Sequence, residues 1–489
     1  MVSTRAWWMI SCAAIACGDG FGRRDVTAGI TSTSAGAGGD ATIGDASTGH
    51  DATSDADTTH AGSSASTAAS DGDSSSSGDG GSTPTASVVG LDFLCKLING
   101  TSVEDPSANH THTRFNLRAT DLGIPLVIAE RLHLFFGDTH GYREIWAIGE
   151  DPDSVAHVDA AAAASDPSVL CTQLEFIVTP DVPSVAADTD ASILRDFAVG
   201  WMSPPPGEDL SAYIGHHPAP FPAIPGSFEV PSGALAIDDA VYLFWAGKSE
   251  FEPHDRMTLS YLVRWDEPRT QPTYQIVRPI DSLPSGALGG RFLQILPFVS
   301  DDTIYLFGTG EYRRSGIYLA RMPKSALEQG GGEELWDPSA AAWVDPASAI
   351  DPVVEREGVG ELGGVFVPGP DLWLLMYQHA ATIGGTLVSN KIVVRTAPAP
   401  EGPWSEQLVV IDMADPLFQL QHCCLAEPCV GEQIWQCQQA GLYGAYPLPN
   451  PRVTPADDGS YAVDLPFVVS TWMPYDVVLF EAHLVLAPQ

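Results

Sequence analysis

The sequence has 489 residues, with 62 acidic against 23 basic side chains and a formal net charge of −39. So large an acidic excess argues against binding to nucleic acids or to anionic lipid headgroups, because both need clustered Lys and Arg. It favours a neutral or cationic partner.

The first 17 residues have the features of a bacterial export signal. Arg5 precedes an apolar stretch, residues 6–16, that is too short to span a bilayer. The run Ala14-Ile15-Ala16-Cys17 resembles a lipobox and predicts a lipoprotein anchored through Cys17. The alternative is an ordinary secretory signal. Both interpretations predict an exported protein, and in the first its contact with a membrane is limited to the lipid anchor.

Residues 18–87 consist almost entirely of Gly, Ser, Thr, Ala and Asp. Such a segment buries too little apolar surface to offset the entropy lost on ordering, so we expect a disordered tether. As a Gly/Ser-type coil it would reach roughly 45 Å on average. An anchored domain would therefore stand away from the membrane.

Residues 88–489 contain a repeated strand-turn-strand pattern. The first strands begin at Leu132, Val241, Ile304, Leu372 and Phe467, and the second strands cover residues 143–149, 259–265, 315–323, 389–397 and 475–484. Five repeated β-meanders predict an all-β fold, a five-bladed β-propeller. We expect the first strand of each pair to be the innermost one. The alternative is a large β-sandwich, in which similar hairpins arise without rotational repetition.

Six cysteines remain outside the signal: Cys95, Cys171, Cys423, Cys424, Cys429 and Cys437. An exported protein is expected to form disulfides, although the sequence does not select among the fifteen possible pairings. The alternative is a Cys/His metal cluster in residues 422–437, but its spacing fits no standard zinc site.

An unexpected carboxylate ends the first repeat strand. Asp138 follows the apolar run LHLFFG, which is typical of a buried strand. In the other units a small residue or a tyrosine stands at this point, so Asp138 is a candidate functional residue. The alternative is that Asp138 caps a turn with Thr139 and Gly141.

Eight motifs together resemble the family known as domain of unknown function 4185. They occur in order along residues 119–479: ATDLGIPLVIAERLHLFFGDT, DPDSVAH, FEVPSGALAIDDAVYLFW, FGTGEYRRSGIYLARMP, VGELGGVFV, APAPEGPWS, YGAYPLP and STWMPYDVVL. Part of this family is classed as glycoside hydrolase family 183, whose members are endo-acting enzymes that cut D-arabinan on a five-bladed propeller. The resemblance implies an exported glycoside hydrolase acting on a furanose polysaccharide.

The resemblance also implies that Asp121 and Asp138 carry out the chemistry. Glycosidases use two carboxyl groups, one donating a proton to the leaving oxygen and the other attacking the sugar or activating water. Glu361, in VGELGG, is the reserve candidate if Asp121 is structural.

Further candidates for substrate binding are two carboxylates, one cation and three aromatic residues: Asp153, Glu229, Arg313, Trp472, Tyr475 and Tyr443. Aromatic faces stack on sugars, and Arg binds carboxylates or hydroxyls, but blade Trp residues are more often core and blade carboxylates often only tie strands together. No cofactor and no catalytic metal are expected, although a structural cation in the propeller channel is possible. The alternative functions are a non-catalytic glycan-binding propeller and a structural surface module.

Overall fold

The computed structural model describes residues 86–99, 108–111, 114, 117–141, 153–177, 201–203, 227–238, 240–248, 257–265, 273–283, 286–383, 386–423, 433–434, 441–472 and 474–487. The proposed signal, the lipidation residue Cys17 and the tether therefore lie outside the described residues, apart from the last two tether residues, 86 and 87. None of the helices in the described part is both long and apolar enough to cross a membrane.

Most strands belong to five sheets, which form the five blades and are antiparallel except where the outermost strand of the second blade pairs in parallel. From the innermost strand outwards, the first blade contains β3 (Leu122–Ile128), β4 (Arg131–Asp138), β6 (Asp153–Asp159) and β7 (Glu175–Phe176). The second blade contains β9 (Ser227–Ile237), β10 (Ala240–Lys248), β11 (Leu259–Trp265), β12 (Thr273–Ser282) and β8 (Trp201–Ser203). The third blade contains β13 (Gln294–Ser300), β14 (Thr303–Thr309), β15 (Ile317–Pro323), β16 (Glu334–Asp337) and β17 (Ala342–Val344).

The last two blades follow the same order. The fourth blade contains β18 (Val359–Val367), β19 (Leu372–Ile383), β20 (Thr386–Ala397) and β21 (Leu408–Asp412). The fifth blade contains β22 (Leu442–Pro447), β24 (Tyr461–Thr471), β25 (Asp476–Leu486) and β1 (Ala86–Lys96), and β23 (Arg452–Pro455) also pairs with β24. A small separate sheet joins β2 (Leu117–Ala119) to β5 (His140–Gly141). The described helices are α1 (Ala160–Ser165), α2 (Pro416–His422) and two 3₁₀ turns, Pro167–Cys171 and Lys324–Ala326.

The five innermost strands close into a ring. β3 contacts β9, β9 contacts β13, β13 contacts β18, β18 contacts β22, and β22 contacts β3. A sandwich of two stacked sheets has no such cyclic order of neighbours. The prediction of a five-bladed propeller is therefore confirmed.

The ring is closed by the first described strand. β1 pairs with β25 along its length and so forms the outer edge of the last blade. Cys95 on β1 forms a disulfide with Cys171, which lies in the 3₁₀ turn of the first blade. Cys423 is also disulfide-bonded. The expected disulfides are thus confirmed at these cysteines, and the first blade is covalently joined to the last.

The repeated strands found in the sequence are real, but their rank in the blade was wrong. Those beginning at Leu132, Val241, Ile304, Leu372 and Phe467 lie in β4, β10, β14, β19 and β24, each of which is the second strand of its blade. The second strand stays apolar because neighbouring blades cover it on both faces. In the first blade its outer partner is β6 and not residues 143–149, which lie outside the described residues.

Candidate active site

The candidate site lies at one end of the ring, where the innermost strands begin. The first residues of β3, β18 and β22 meet there with the turns β14–β15 and β24–β25. These segments carry one group of polar side chains: Asp121, Glu361, Tyr312, Arg313, Tyr443 and Tyr475. Four of the five blades' sheets or turns therefore contribute to a single cluster.

Bulges at the beginnings of the inner strands direct these side chains. In β18, Gly360 and Glu361 together face the single residue Gln378 of β19, and similar irregularities follow Asp121 in β3, at Gly123, and Tyr443 in β22, at Gly444. A bulge inserts an extra residue, bends the strand and re-aims a side chain. Gly123 and Gly444 have φ values of +106° and +58°, a backbone region that favours glycine.

Asp121 is buried beneath two tyrosines. The Tyr443 hydroxyl donates to Oδ2 of Asp121 at 3.0 Å, and the Tyr475 hydroxyl also forms a hydrogen bond with this carboxylate. The backbone carbonyl of Asp121 accepts from the amide of Gly137 at 3.0 Å, which ties it to the strand that ends in Asp138. Asp121 is only 7% exposed.

Glu361 is the second buried carboxylate, and three donors surround it. The Tyr312 hydroxyl donates to Oε1 at 2.5 Å and the Arg313 guanidinium to the same oxygen at 3.3 Å. The amide of Gly444 donates to Oε2 at 3.4 Å. Because Gly444 follows the tyrosine that binds Asp121, one short segment of β22 holds both carboxylates.

The tyrosines of the site remain protonated hydrogen-bond donors. Burial raises the pKa of Tyr443 well above its usual value, and the negative charges of Asp121 and Glu361 raise it further. Burial likewise raises the pKa of Tyr312 and of Tyr475. These hydroxyls therefore hold the carboxylates in place without adding charge.

Asp138 and Asp153 lie at the edge of this cluster. They face each other in the register of β4 and β6, and each is partly exposed. The negative charge of Asp138 contributes to the raised pKa of Tyr475, after burial and the charge of Asp121. The negative charges of Asp138 and Asp121 therefore both raise the pKa of Tyr475, so the two aspartates singled out in the sequence lie near the same tyrosine.

A row of buried hydroxyls supports these aspartates. Thr139 Oγ1 lies 2.8 Å from both Thr120 Oγ1 and Ser154 Oγ. Each of the three hydroxyl residues is adjacent in sequence to one aspartate: Asp121, Asp138 or Asp153. Because each hydroxyl is one residue from its aspartate, the row restrains the backbone that carries each carboxylate.

The remaining sequence candidates have different outcomes. Trp472 is half-buried against Tyr475, with ring centroids 5.3 Å apart, so the two form an aromatic pair beside Asp121. The backbone of Glu229 lies in β9, but its side chain is outside the described part, as is Cys17. The sequence reasoning missed Tyr312 and the amide of Gly444, although the motif EYRRS contained the first.

One described group has the spacing of metal ligands, and it lies away from this site on the last blade. Ligand atoms of Asp464, Glu481 and His483 are all within 4.8 Å of one another. The Arg452 guanidinium contacts both carboxylates, and His483 Nδ1 lies 2.7 Å from Asp464. These internal ion pairs account for the group without a metal.

Comparisons with known proteins relate the chain to one family. The family model described as domain of unknown function (DUF4185) matches residues 216–481, more than half of the chain. A comparison with curated proteins gave no match.

Solved structures with similar folds have low identity. A crystal structure of a protein from Bacteroides ovatus has a TM-score of 0.43 and 11% identity, covering 76% of this chain and 87% of its own. The native arabinanase Arb43A of Bacillus subtilis has 0.39 and 10%, with 75% and 94% covered. The α-L-arabinanase of Cellvibrio cellulosa, complexed with arabinohexaose, has 0.37 and 9%, with 74% and 91% covered. At such values these similarities say nothing about the activity of this chain.

Proposed function

We propose that this chain, which belongs to the DUF4185 family, is an exported glycoside hydrolase that uses Asp121 and Asp138 as its reacting carboxyl groups. The observation that carries the proposal is the row of acids and tyrosines at the entrance of the ring. The Gly137 amide joins Asp121 to the strand that ends in Asp138, and Tyr443 connects Asp121 to the segment that binds Glu361.

The roles of the three carboxylates follow from their surroundings. Asp138 is partly exposed at the end of its strand, so a sugar can reach it. Asp121 is held by neutral tyrosines, whereas Glu361 is held by Arg313 as well as two other donors. We assign the chemistry to the two aspartates and a supporting role to Glu361, which is the most completely occupied by protein donors.

The reaction would follow the two-carboxyl scheme. One aspartic acid donates its proton to the leaving glycosidic oxygen, while the other carboxylate attacks the anomeric carbon or takes a proton from the attacking water. Trp472 and Tyr475 offer a flat aromatic surface beside Asp121 on which a sugar ring can stack. We propose a furanose polysaccharide, D-arabinan, as the substrate and internal cleavage as the mode.

Export and anchoring are part of the same proposal. The disulfide Cys95–Cys171 agrees with an oxidising compartment, where such bonds persist. We propose that Cys17 carries the lipid and that residues 18–87 place the propeller at a distance from the membrane. A polysaccharide of the cell envelope would then lie within its reach.

A non-catalytic glycan-binding propeller is the second candidate. The observation that favours it is the burial of Asp121 and Glu361, at 7% and 5% exposure, under protein hydrogen-bond donors. In such a protein the two carboxylates would stabilise the ring and the aromatic pair Trp472 and Tyr475 would hold the sugar.

The test is release of oligosaccharides. The purified protein would be incubated with D-arabinan and a panel of neutral polysaccharides, beside Asp121→Asn, Asp138→Asn and the control Asp412→Asn, whose carboxylate pairs with Lys391 on an outer strand. Products from the wild type and the control, but from neither site variant, would support the hydrolase. Binding of a glycan without any release would favour the second candidate.

A further inference from the structure

Arg313 is a buried cation inside the carboxylate cluster. Its side chain is 11% exposed, and its guanidinium lies 3.3 Å from Glu361, whose side chain is 6% exposed. The guanidinium carbon lies 4.6 Å from the ring centroid of Tyr312 and 5.6 Å from that of Tyr443. A carboxylate and two aromatic faces therefore hold this charge.

The backbone at Arg313 adopts an uncommon conformation to place the side chain there. Its φ is +57°, a region that residues other than glycine rarely adopt. Such a conformation persists only where the surroundings fix it, and it is more frequent at functional sites.

The turn that carries Arg313 is attached to the strand that carries Glu361. The amide of Gly310 donates to Ser315 Oγ at 2.6 Å, which closes the turn. The amide of Val359, at the start of β18, donates to the carbonyl of Ser315 at 3.2 Å. The ion pair thus joins two segments that already share a backbone contact, so its geometry is well defined.

We propose that Arg313 is a positioning residue, which fixes and neutralises Glu361 and thereby limits the negative charge around Asp121. This inference rests on the proposed function, because it assigns Arg313 a part in setting the pH range of that reaction. Without the guanidinium, Glu361 would be a buried anion with no counter-ion, held by the same short segment of β22 that binds Asp121, one of the two aspartates that must differ in protonation. The site would then take up a proton at a higher pH.

This role differs from direct binding of the sugar by Arg313. A substrate contact would be lost in any variant that lacks the guanidinium, whatever happens to Glu361. A positioning role acts through Glu361, so removing both members of the pair restores the balance of charge. The double variant Arg313→Gln/Glu361→Gln therefore separates the two roles.

The experiment measures kcat/KM against pH for the full chain. For Arg313→Gln we expect the acidic limb to move up by about one to two pH units. For Arg313→Lys, which keeps the charge, and for the double variant we expect the limb to stay close to that of the wild type. Arg314→Gln is the matched control, since Arg314 is 48% exposed and pairs with Glu311 on the surface.

Two results would overturn the inference. One is an Arg313→Gln variant with a raised KM and an unmoved acidic limb, which would make Arg313 a sugar ligand. The other is a double variant whose acidic limb moves as far as that of Arg313→Gln.

Thermal melting keeps this test separate from that of the proposed function. Arg313→Gln leaves a buried carboxylate unpaired, so it should melt at a lower temperature than the double variant. If the wild type cleaves no glycan, the proposed function fails, and this comparison still tests the ion pair. Equal melting temperatures of the two variants would then refute it.

Discussion

Gly137 is packed against the carboxylate of Asp121, which makes Gly137→Ala a direct test of the site. A Cβ atom at this position would lie 2.5 Å from Oδ1 of Asp121, 3.0 Å from Leu122 Cδ1 and 3.2 Å from Val230 Cγ1. The φ of Gly137 lies outside the left-handed region, so alanine adds steric contact without backbone strain. Ordinary contacts of carbon are about 3.5 Å, so the carboxylate must move by roughly 1 Å.

The expected result is a large loss of activity with a smaller loss of stability. A displacement of about 1 Å in a reacting group can lower the rate roughly 100-fold, so kcat/KM should fall by about that factor. Overpacking should lower the free energy of unfolding by roughly 1–3 kcal/mol. Initial rates of oligosaccharide release and denaturant titrations would measure the two effects.

The control for this variant is Gly90→Ala. Gly90 lies on β1, at the outer edge of the last blade, and the three atoms nearest to its added Cβ all belong to the side chain of His483, the closest at 3.0 Å. This variant should keep the wild-type kcat/KM. A Gly137→Ala protein that folds and cleaves at the wild-type rate would refute the claim that the position of Asp121 governs catalysis.

Two further predictions concern stability. Replacing Cys95 and Cys171 by Ser removes a disulfide that closes a loop with a sequence separation of 76, so the free energy of unfolding should fall by about 4 kcal/mol. A denaturant titration would measure this, and a free energy of unfolding equal to that of the wild type would show that the bond does not stabilise the fold. Hydrogen bonds to Asp464 and Asp92 raise the pKa of His483 above 6.5, so its contribution is present at lower pH and is lost as the pH rises through the raised value. His483→Gln should therefore melt below the wild type at pH 5 and at the same temperature as the wild type at pH 9. The difference at pH 5 should be small because the side chain is partly exposed, and an equal difference at both pH values would contradict this.

The sequence alone was sufficient to predict the class of fold. The strands β4, β10, β14, β19 and β24 contain apolar runs that end in small or polar residues, and this pattern depends only on local composition. Five copies of it predicted five blades. The rank of each strand within its blade was not predictable, because an inner strand such as LYGAYP has fewer large apolar residues than the strand beside it.

The candidate site was predictable in part. Asp138 was identified because a carboxylate at the end of a buried strand conflicts with local expectation, whereas Asp121 and Glu361 were identified from the family motifs. Tyr443 was a candidate for stacking on a sugar, but its pairing with Asp121 was not predictable, because the two residues lie 322 residues apart and come from different blades. Only closure of the ring brings them together.

The local sequence therefore determined which segments become strands and which residues are chemically unusual. The tertiary structure decided which of those residues meet. The physical reason is that strand formation follows from the alternation and volume of near neighbours, whereas the entrance of the ring is built from the bulged beginnings of separate strands. Their register depends on packing between blades that are far apart in the chain.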